Sequence, residues 1–433
     1  MTHPHLLILA GGASSRMSPL REKSLIRFGS SAPAEPLLIS QLRRYQALGF
    51  TDVVIVGNPE NRDNIAALTE SLPLRVQVTV QPEPNGMGDA ILRAADLIPP
   101  DAALYINQVH DVVDDSLHRA ILEGFAADSF TAYVAGSERE DYFPGGYLIV
   151  DGDRLTGIIE KPGADKRPSK LVNIVAHLYP RAGALFDAIR AEYTRDLTSD
   201  DHYERAMDTM MKRSVFKAVT YRGAWNALKY PWHVLDIMNH FLNQIEGQQI
   251  DPTAKIAPTA TISGNVYIGA GARVFAGAGI VGPAYIGAGT IVGNNALVRS
   301  SMVLDRCNVG FTTEVARSYV ADGVDMHACR VLDSVFASGV NFSAGCTTAN
   351  LRIDRGNVAC RVKGQKINTG RDKLGAIIGR GAFLAVDVMT MPGVKVGEEA
   401  QIGPGMHVHQ DIEDGARAYV KQEIVIVRRG ESE

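Results

Sequence analysis

Two hydrophobic periods divide this chain. Over the first half, short apolar runs alternate with helical patterns: LLILA, DVVIVG, VQVTVQ and ALYIN read as strands, while PLLISQLRRYQALGF, DNIAALTESL and DAILRAADLI carry apolar residues at helical spacing between them. Strand and helix taking turns predicts βαβ units on a mostly parallel sheet over residues 1–230. The segment PWHVLDIMNHFLNQIEGQQ, residues 231–249, has Pro231 near its start and Leu235, Met238, Phe241, Leu242 and Ile245 along it, which predicts a linking helix.

Over residues 250–433 the period becomes six. Ile250, Ile256, Ile262, Ile268, Val274, Ile280, Ile286, Val292, Val298 and Leu304 recur among Gly, Ala, Ser, Thr and Asn, and the phase resumes at Ile378, Leu384, Thr390, Val396, Ile402 and Val408. No α-helix or simple hairpin array has that period. A parallel β-helix with three short faces per coil does, because one aliphatic side chain per face stacks inward on the coil below and small residues fit the corners. Around residues 351–376 the repeat is broken by LRIDRGNVACRVKGQKINTGRDKLG, too polar and too long for a coil, which is expected to loop out.

Composition adds exclusions. At 433 residues, 45% hydrophobic, 21% charged and net charge −4, the chain has the make-up of a soluble globular protein, with no apolar run long enough to cross a bilayer. Neither nucleic acid nor a membrane is expected as a partner. The start, MTHPHLLILAGG, lacks a basic region leading into a sustained apolar segment and a cleavage site, so no signal peptide is read and a cytoplasmic location is expected. Cys307, Cys329, Cys346 and Cys360 lack CxxC spacing, which argues against a disulfide framework and a structural zinc site and for buried thiols.

Candidate chemistry begins where the first strand ends, in LILAGGASSRMSPLREKSL, residues 7–25. A strand feeding a Gly-rich turn presents backbone N–H groups with no side chain in the way, so it can wrap an anion such as a triphosphate, with Arg16 and Lys23 adding charge. Taken alone, a tight turn with solvated basic residues explains the stretch equally well.

Further motifs follow in order. LAGGASSRM, with Lys23 seven residues after Arg16, resembles the L-A-x-G-x-x-x-R-M signature of the sugar-1-phosphate nucleotidylyltransferases. QPEPNGMGDA resembles their base-reading segment, INQVHDVVD stands where they have a Gly-Asp metal motif, GGYLIVDGDRLTGIIEKPG carries a Gly fourteen residues before the Glu of an E-K-P motif, and LVNIVAHLYP resembles their N-x-G-x-Y segment. The resemblance implies an α/β Rossmann-like nucleotidyltransferase domain. It implies Ala10, Gly11, Gly12, Gln81, Gly86 and Met87 around the nucleotide, UTP or dTTP, and Arg16 and Lys23 on its leaving phosphates. It further implies Asp111 and Asn226 on Mg²⁺, Gly146, Glu160 and Asn173 around the sugar 1-phosphate, and Lys161 orienting the attacking phosphate. The sugar phosphate would attack the α-phosphorus in line and pyrophosphate would leave, so catalysis is positioning plus charge neutralisation.

The chain departs from that pattern at three points: Glu22 replaces the Pro before the Lys, His110 replaces the Gly before the Asp, and Asn226 and Ala227 stand near the second metal carboxylate. Asn226 can still donate a carbonyl oxygen to Mg²⁺, and the N-acetylglucosamine branch of the family is similar there. For His110 a ligand neighbour, a phosphate donor and a packed histidine all stand, the packed reading first. Plain readings also stand for Asp111 and Glu160, as strand-end carboxylates, and for Lys161, as a solvated loop lysine.

The second half resembles the left-handed β-helices of hexapeptide repeats found in acyltransferases. MHACRVLDSVFASGVNFSAGCTTANLRID, with His327 and Asn350 twenty-three residues apart, resembles the acetyltransferase site of bifunctional sugar-1-phosphate nucleotidylyltransferase/amino-sugar-1-phosphate acetyltransferases, and VKGQKINTGRDKLGAIIG is similar to their archaeal members. The resemblance implies acetyl-CoA as co-substrate, contacted at Ala344, and a homotrimer or a dimer of trimers. His327 would be the general base for the acceptor amine and Asn350 a ligand to the sugar or the oxyanion, with Lys363, Lys366, Arg371 and Lys373 as candidate phosphate partners. Arg330 and Ala316 replace a Tyr and a substrate-binding Lys of the relatives. A packed histidine and a solvated basic loop are the plain alternatives. Three overall readings follow: a bifunctional enzyme, a nucleotidylyltransferase whose β-helix only assembles it, and a degenerate sugar-nucleotide-binding regulator.

Overall fold

The computed structural model describes residues 3–12, 14–196 and 199–426. The chain forms two compact units, one of residues 1–14, 22–26 and 35–228, the other of residues 15–21, 27–34 and 229–433. In the first unit, β1 (His5–Leu9), β2 (Asp52–Gly57), β3 (Arg75–Val80) and β4 (Leu104–Gln108) lie parallel in the order β3-β2-β1-β4. Helices α1 (Leu37–Ala47), α2 (Arg62–Thr69) and α3 (Gly86–Arg93) connect them. Leu6, Leu7 and Ile8 of β1 are all fully buried, as a central parallel strand covered on both faces must be, which is why LLIL reads as a continuous apolar run.

Beyond β4 the sheet is not the mostly parallel one the alternation suggests. With β5 (Asp111–Val112) set apart, α4 (Asp115–Ala127) leads to β6 (Ala132–Glu138), β7 (Gly146–Asp151), β8 (Arg154–Glu160), β9 (Leu171–Tyr179) and β10 (Phe216–Tyr221). The full order is β3-β2-β1-β4-β9-β6-β10-β8-β7, with β9 antiparallel to β4 and β6, and β8 antiparallel to β7 and β10. The reason is local: β7 and β8 are joined by a two-residue turn at Gly152, whose φ of 64° favours glycine, and a tight turn can only return the chain antiparallel. Helices α5 (Ala182–Arg195) and α6 (His202–Met211) follow β9, and a short β11 (Asn226–Ala227) pairs antiparallel with β5.

In the second unit three all-parallel sheets of eight, nine and eight strands stack between Gln248 and Ala418, the arrangement of a left-handed β-helix. Ile268, Val274, Ile280, Ile286, Val292 and Val298 fill its interior in the expected phase. The period then slips: Val303, not Leu304, joins the inner column, followed by Val309, Val315 and Val320. A ladder of buried serines shortens that corner. Ser301 Oγ accepts from Ser318 N–H, Ser318 Oγ from Ser334 N–H and Ser334 Oγ from Ala376 N–H, each at 3.0 Å. The hydroxyls take the place of backbone acceptors, so the corner closes in one residue fewer.

The excursion leaves the coil as expected and contains a hairpin, Ala359–Val362 against Gln365–Asn368, whose turn residues Lys363 and Gly364 both have positive φ. The helix expected over 231–249 is shorter: a 3-10 turn, Pro231–His233, precedes α7 (Val234–Leu242), and Gln248 already begins the first coil. Two short segments of the N-terminal sequence belong to this unit. Arg21 pairs with Glu398 at 3.2 Å and Asp414 at 2.7 Å, Arg27 with Asp305 at 2.9 Å and Asp322 at 2.5 Å, and Phe28 stacks on Phe241 with centroids 5.3 Å apart. All four cysteines are buried and unbridged. Among the described residues no helix is long and apolar enough to cross a membrane.

Candidate active site

At the C-terminal end of β1, Ala10, Gly11, Gly12, Lys23, Gln81, Gly86 and Met87 line one cavity of about 210 Å³, together with Gln108 and His110. Gly11 is required by close approach, since a Cβ there would stand 2.8 Å from Gly57 O, whereas a Cβ at Gly12 would meet open space. Gln81 is buried, and its amide nitrogen donates to Gly86 O at 2.9 Å and Asp89 Oδ2 at 3.0 Å, which turns Oε1 toward the Gly-rich turn. Gly86 has a φ of 84°, so the N-terminus of α3 bends sharply into the cavity wall.

His110 is a partly buried wall residue of this cavity. Glu22, in place of the family's Pro, has a φ of 46° that a proline ring excludes. Half-burial raises its pKa against the pull of hydrogen bonds from Asn61 and Asn58. Asn61 also donates to Ala10 O at 3.1 Å, so this substitution ties Lys23's turn to the support beneath the Gly-rich strand end. Arg16 is exposed and falls in the segment that groups with the second unit.

Asp111 and Asn226 stand on the two paired strands β5 and β11, where Asn226 faces Val112 and Ala227 faces Asp111. Asp111 is buried and accepts from the Trp225 indole N–H at 3.0 Å; Trp225 in turn packs on Phe143 and under the Arg139 guanidinium. Among the described residues no group of three or more His, Cys, Asp or Glu side chains is arranged to hold a metal ion.

The third cluster lies on β7, β8 and β9. Glu160 pairs with Gly146 across the hairpin, and its Oε2 lies 3.2 Å from where a Cβ of residue 146 would be, so a side chain there would press on the carboxylate. Lys161 Nζ is 3.1 Å from Glu160 Oε1. Burial works against the Lys161 charge, but Glu160 together with Asp200 and Glu204 outweighs it and raises the lysine's pKa. Asn173 is oriented from below: its Oδ1 meets His177 Nε2 at 2.9 Å, His177 Nδ1 meets Tyr203 OH at 2.6 Å, and Tyr203 meets Tyr179 OH at 2.9 Å. Burial pushes His177 down to about 3, so the neutral ring donates to Asn173 and accepts from Tyr203, turning the Asn173 amide nitrogen outward.

Sequence reasoning missed Asn61, Trp225, Tyr203 and Glu204 of α6. The signal for the last was a carboxylate among His202, Tyr203, Ala206 and Met207, which are all buried.

In the second unit His327 is exposed at the corner after the strand Asp325–Met326, and Ala344 lies at the same corner one coil on, where Gly345 N–H reaches Ala328 O at 3.2 Å. Asn350 follows Thr347–Thr348 on the next face, so one chain sets His327 and Asn350 on different edges of the prism. Asn350 Nδ2 donates to Asp333, whose carboxylate is held by Arg317 at 2.6 Å through both oxygens. Arg330 lies between Glu314 and Thr347, and buried Ala316 lies beside Arg299, which pairs with Glu314 at 2.9 Å. Of the excursion's basic residues, Arg371 pairs with Asp236 of α7.

The model of the nucleotidyl transferase family matches residues 5–228. The bifunctional sugar-1-phosphate nucleotidylyltransferase/acetyltransferase of Sulfurisphaera tokodaii is 30% identical over 94% of this chain and 97% of its own length. The bifunctional protein GlmU of Methanocaldococcus jannaschii is also 30% identical, over 97% of this chain and 98% of its own. Among solved structures, a UTP-bound UGPase from Acinetobacter baumannii covers 55% of this chain and 93% of its own, with 15% identity and a TM-score of 0.45.

Proposed function

Since the chain belongs to the nucleotidyl transferase family and, over its length, to the bifunctional sugar-1-phosphate nucleotidylyltransferase/acetyltransferases, we propose that it carries out both reactions. The first unit transfers a nucleotidyl group from UTP or dTTP to a sugar 1-phosphate and releases pyrophosphate. The β-helix unit transfers acetyl from acetyl-CoA to an amino-sugar 1-phosphate. The observation that carries the first half is the convergence of Gly11, Gly12, Lys23, Gln81 and Gly86 on one cavity.

In this reading the Gly11–Gly12 backbone N–H groups and Lys23 take the triphosphate, and Arg16 adds charge on the leaving pyrophosphate. Gln81 Oε1, with the Gly86 and Met87 backbone, reads the base edge. Asp111 and Asn226 would hold Mg²⁺, one carboxylate and one neutral oxygen being donor types such an ion accepts while retaining several waters. When bound, Mg²⁺ would supply neutralisation of the phosphate charge developing in the in-line displacement. Gly146, Glu160 and the Asn173 amide nitrogen hold the sugar, and Lys161 aims the attacking phosphate.

For acetyl transfer, His327 takes the proton from the acceptor amine as it attacks the thioester, Asn350 holds the sugar or the oxyanion, and Ala344 lines the acetyl-CoA cleft. The separation of His327 and Asn350 onto different edges favours a site completed by a neighbouring copy, hence a homotrimer, alone or as a dimer of trimers. A cytoplasmic location, where these substrates are made, completes the proposal. Ala316 favours a second reading, in which the β-helix only assembles a nucleotidylyltransferase.

The experiment is to follow pyrophosphate release across a panel of nucleoside triphosphates and sugar 1-phosphates, and thiol release from acetyl-CoA with glucosamine and galactosamine 1-phosphates. Thiol release that disappears in His327→Ala while pyrophosphate release persists is the expected result. No thiol release from the parent leaves the second reading, and no pyrophosphate release overturns the first half.

A further inference from the structure

Glu204 is only 6% exposed, and its own backbone N–H donates to its carboxyl. Helix and strand spacing say where it faces. α6 packs against β8, and Asp208 of α6 reaches that strand directly, lying 3.0 Å from the Cβ position of Gly157 and accepting from Ile158 N–H at 3.4 Å. Glu204 stands four residues before Asp208, hence on the same helix face and about 6 Å back along the axis. Glu160 stands two residues beyond Ile158, about 7 Å along the strand. The two displacements are of equal length, and the Glu160 charge acts on the Glu204 carboxyl, which puts Glu204 in the neighbourhood of Glu160, the residue beside Gly146.

The charges around it are uneven. β8 presents Glu160 and Lys161, the start of α6 presents Asp201, and β9 presents the Tyr179 hydroxyl. Asp200 faces Lys161, Asp208 is paired with Lys212, and α3 and α5 present Asp89 and Glu192, which are taken by Arg93 and Arg205. Burial first, and the Glu160 charge second, push Glu204 up to about 8 against the pull of Lys161. Near neutrality the Glu204 carboxyl therefore keeps its proton.

We propose that Glu204 is a specificity-determining residue of the sugar subsite, forming with Glu160 a carboxyl pair that presents one proton donor and carboxylate acceptors side by side to a ring substituent of the sugar 1-phosphate. It rests on the reading above that Glu160 and Lys161 hold that substrate. A substituent that both donates and accepts, a hydroxyl or an acetamido group, satisfies the pair. An ammonium group only donates, so it meets the acceptor oxygens of the pair but offers the Glu204 O–H nothing on the substrate to bond to.

The test compares the parent, Glu204→Gln and Glu204→Ala in pyrophosphate release, with KM and kcat for N-acetylglucosamine 1-phosphate between about pH 6.5 and 9. In the parent, KM for the sugar phosphate rises as Glu204 loses its proton, while the triphosphate KM stays level. Glu204→Gln keeps an N–H donor that does not titrate, so its KM stays low and flat across the range. Glu204→Ala has a KM raised about 5- to 30-fold at every pH, the effect of one or two kcal/mol of polar contact. A Gln variant that follows the parent's pH profile, or an Ala variant that folds and has the parent's KM, overturns the assignment; if the Ala variant does not fold, the Gln profile decides. A parent that releases no pyrophosphate sinks the nucleotidyl-transfer reading instead. Calorimetric binding of the same sugar phosphate to parent and Gln variant over the same pH range then decides the role of Glu204.

Discussion

Single residues set the tolerances of the first unit. Gly11 has backbone on the side where a side chain would grow, with Gly57 O and the carbonyl carbon 2.8 and 3.3 Å from a Cβ, whereas Gly12 has open space. Gly11→Ala is therefore expected to lower stability by about 1–3 kcal/mol, the usual effect of overpacking, and to raise KM for the triphosphate. Gly12→Ala should match the parent in urea unfolding. Glu204 makes a second prediction. In the unfolded chain its carboxyl ionises in the ordinary range, while in the fold it holds its proton until about 8. The unfolded state thus binds fewer protons over that window, and this group's contribution to stability falls as pH rises from about 4.5 to 8. Glu204→Gln removes the titration, so its melting temperature should gain on the parent's from pH 5 to 8 and gain no more above that. Equal spacing of the two melting curves at every pH would mean that Glu204 is ionised in the fold. At this scale motif spacing singled out Lys23 and Gln81, which line one cavity, and Glu160, which pairs with Gly146 across the hairpin. Trp225 and Tyr203 were not singled out, because they orient Asp111 and Asn173 through side chains brought together only by folding.

Among the elements, the β-helix was plain from its period, and its slip was not. Six-residue spacing follows from three faces with one inward aliphatic residue each, a constraint written in order along the chain. The slip at Val303 depends on hydroxyls of successive coils meeting at one corner. Ser318→Ala removes the acceptor of Ser334 N–H and is expected to cost about 1–3 kcal/mol, as for a buried donor left unsatisfied, read as a lower thermal midpoint with quaternary size unchanged. A variant as stable as the parent would show that the corner repacks without the hydroxyl. The same distinction separates the two halves of the large sheet. Its βαβ strands were legible from alternation, and its antiparallel ones depend on the tight turn at Gly152 and on which edge each strand joins.

For the whole molecule, the two units do not divide the sequence at one point. Residues 15–21 and 27–34 belong with the β-helix, held by Arg21, Arg27 and Phe28. A fragment of residues 1–230 lacks Asp414, Asp305 and Phe241, so it should lose pyrophosphate release and unfold at lower temperature than the full chain; full turnover by the fragment would show that these segments hold their conformation unaided. The sequence by itself determined the succession of a βαβ region and a six-residue coil, the Gly-rich strand end and the order of the candidate motifs, because periodicity and spacing are one-dimensional properties that short-range sterics convert directly into elements. Only the tertiary structure decided that two N-terminal segments join the second unit, that His327 and Asn350 fall on different edges of the prism, and that Glu204 comes to lie in the neighbourhood of Glu160. Those relations depend on ion pairs, corner lengths and helix-to-strand register between residues far apart in the chain, where no local pattern constrains the outcome.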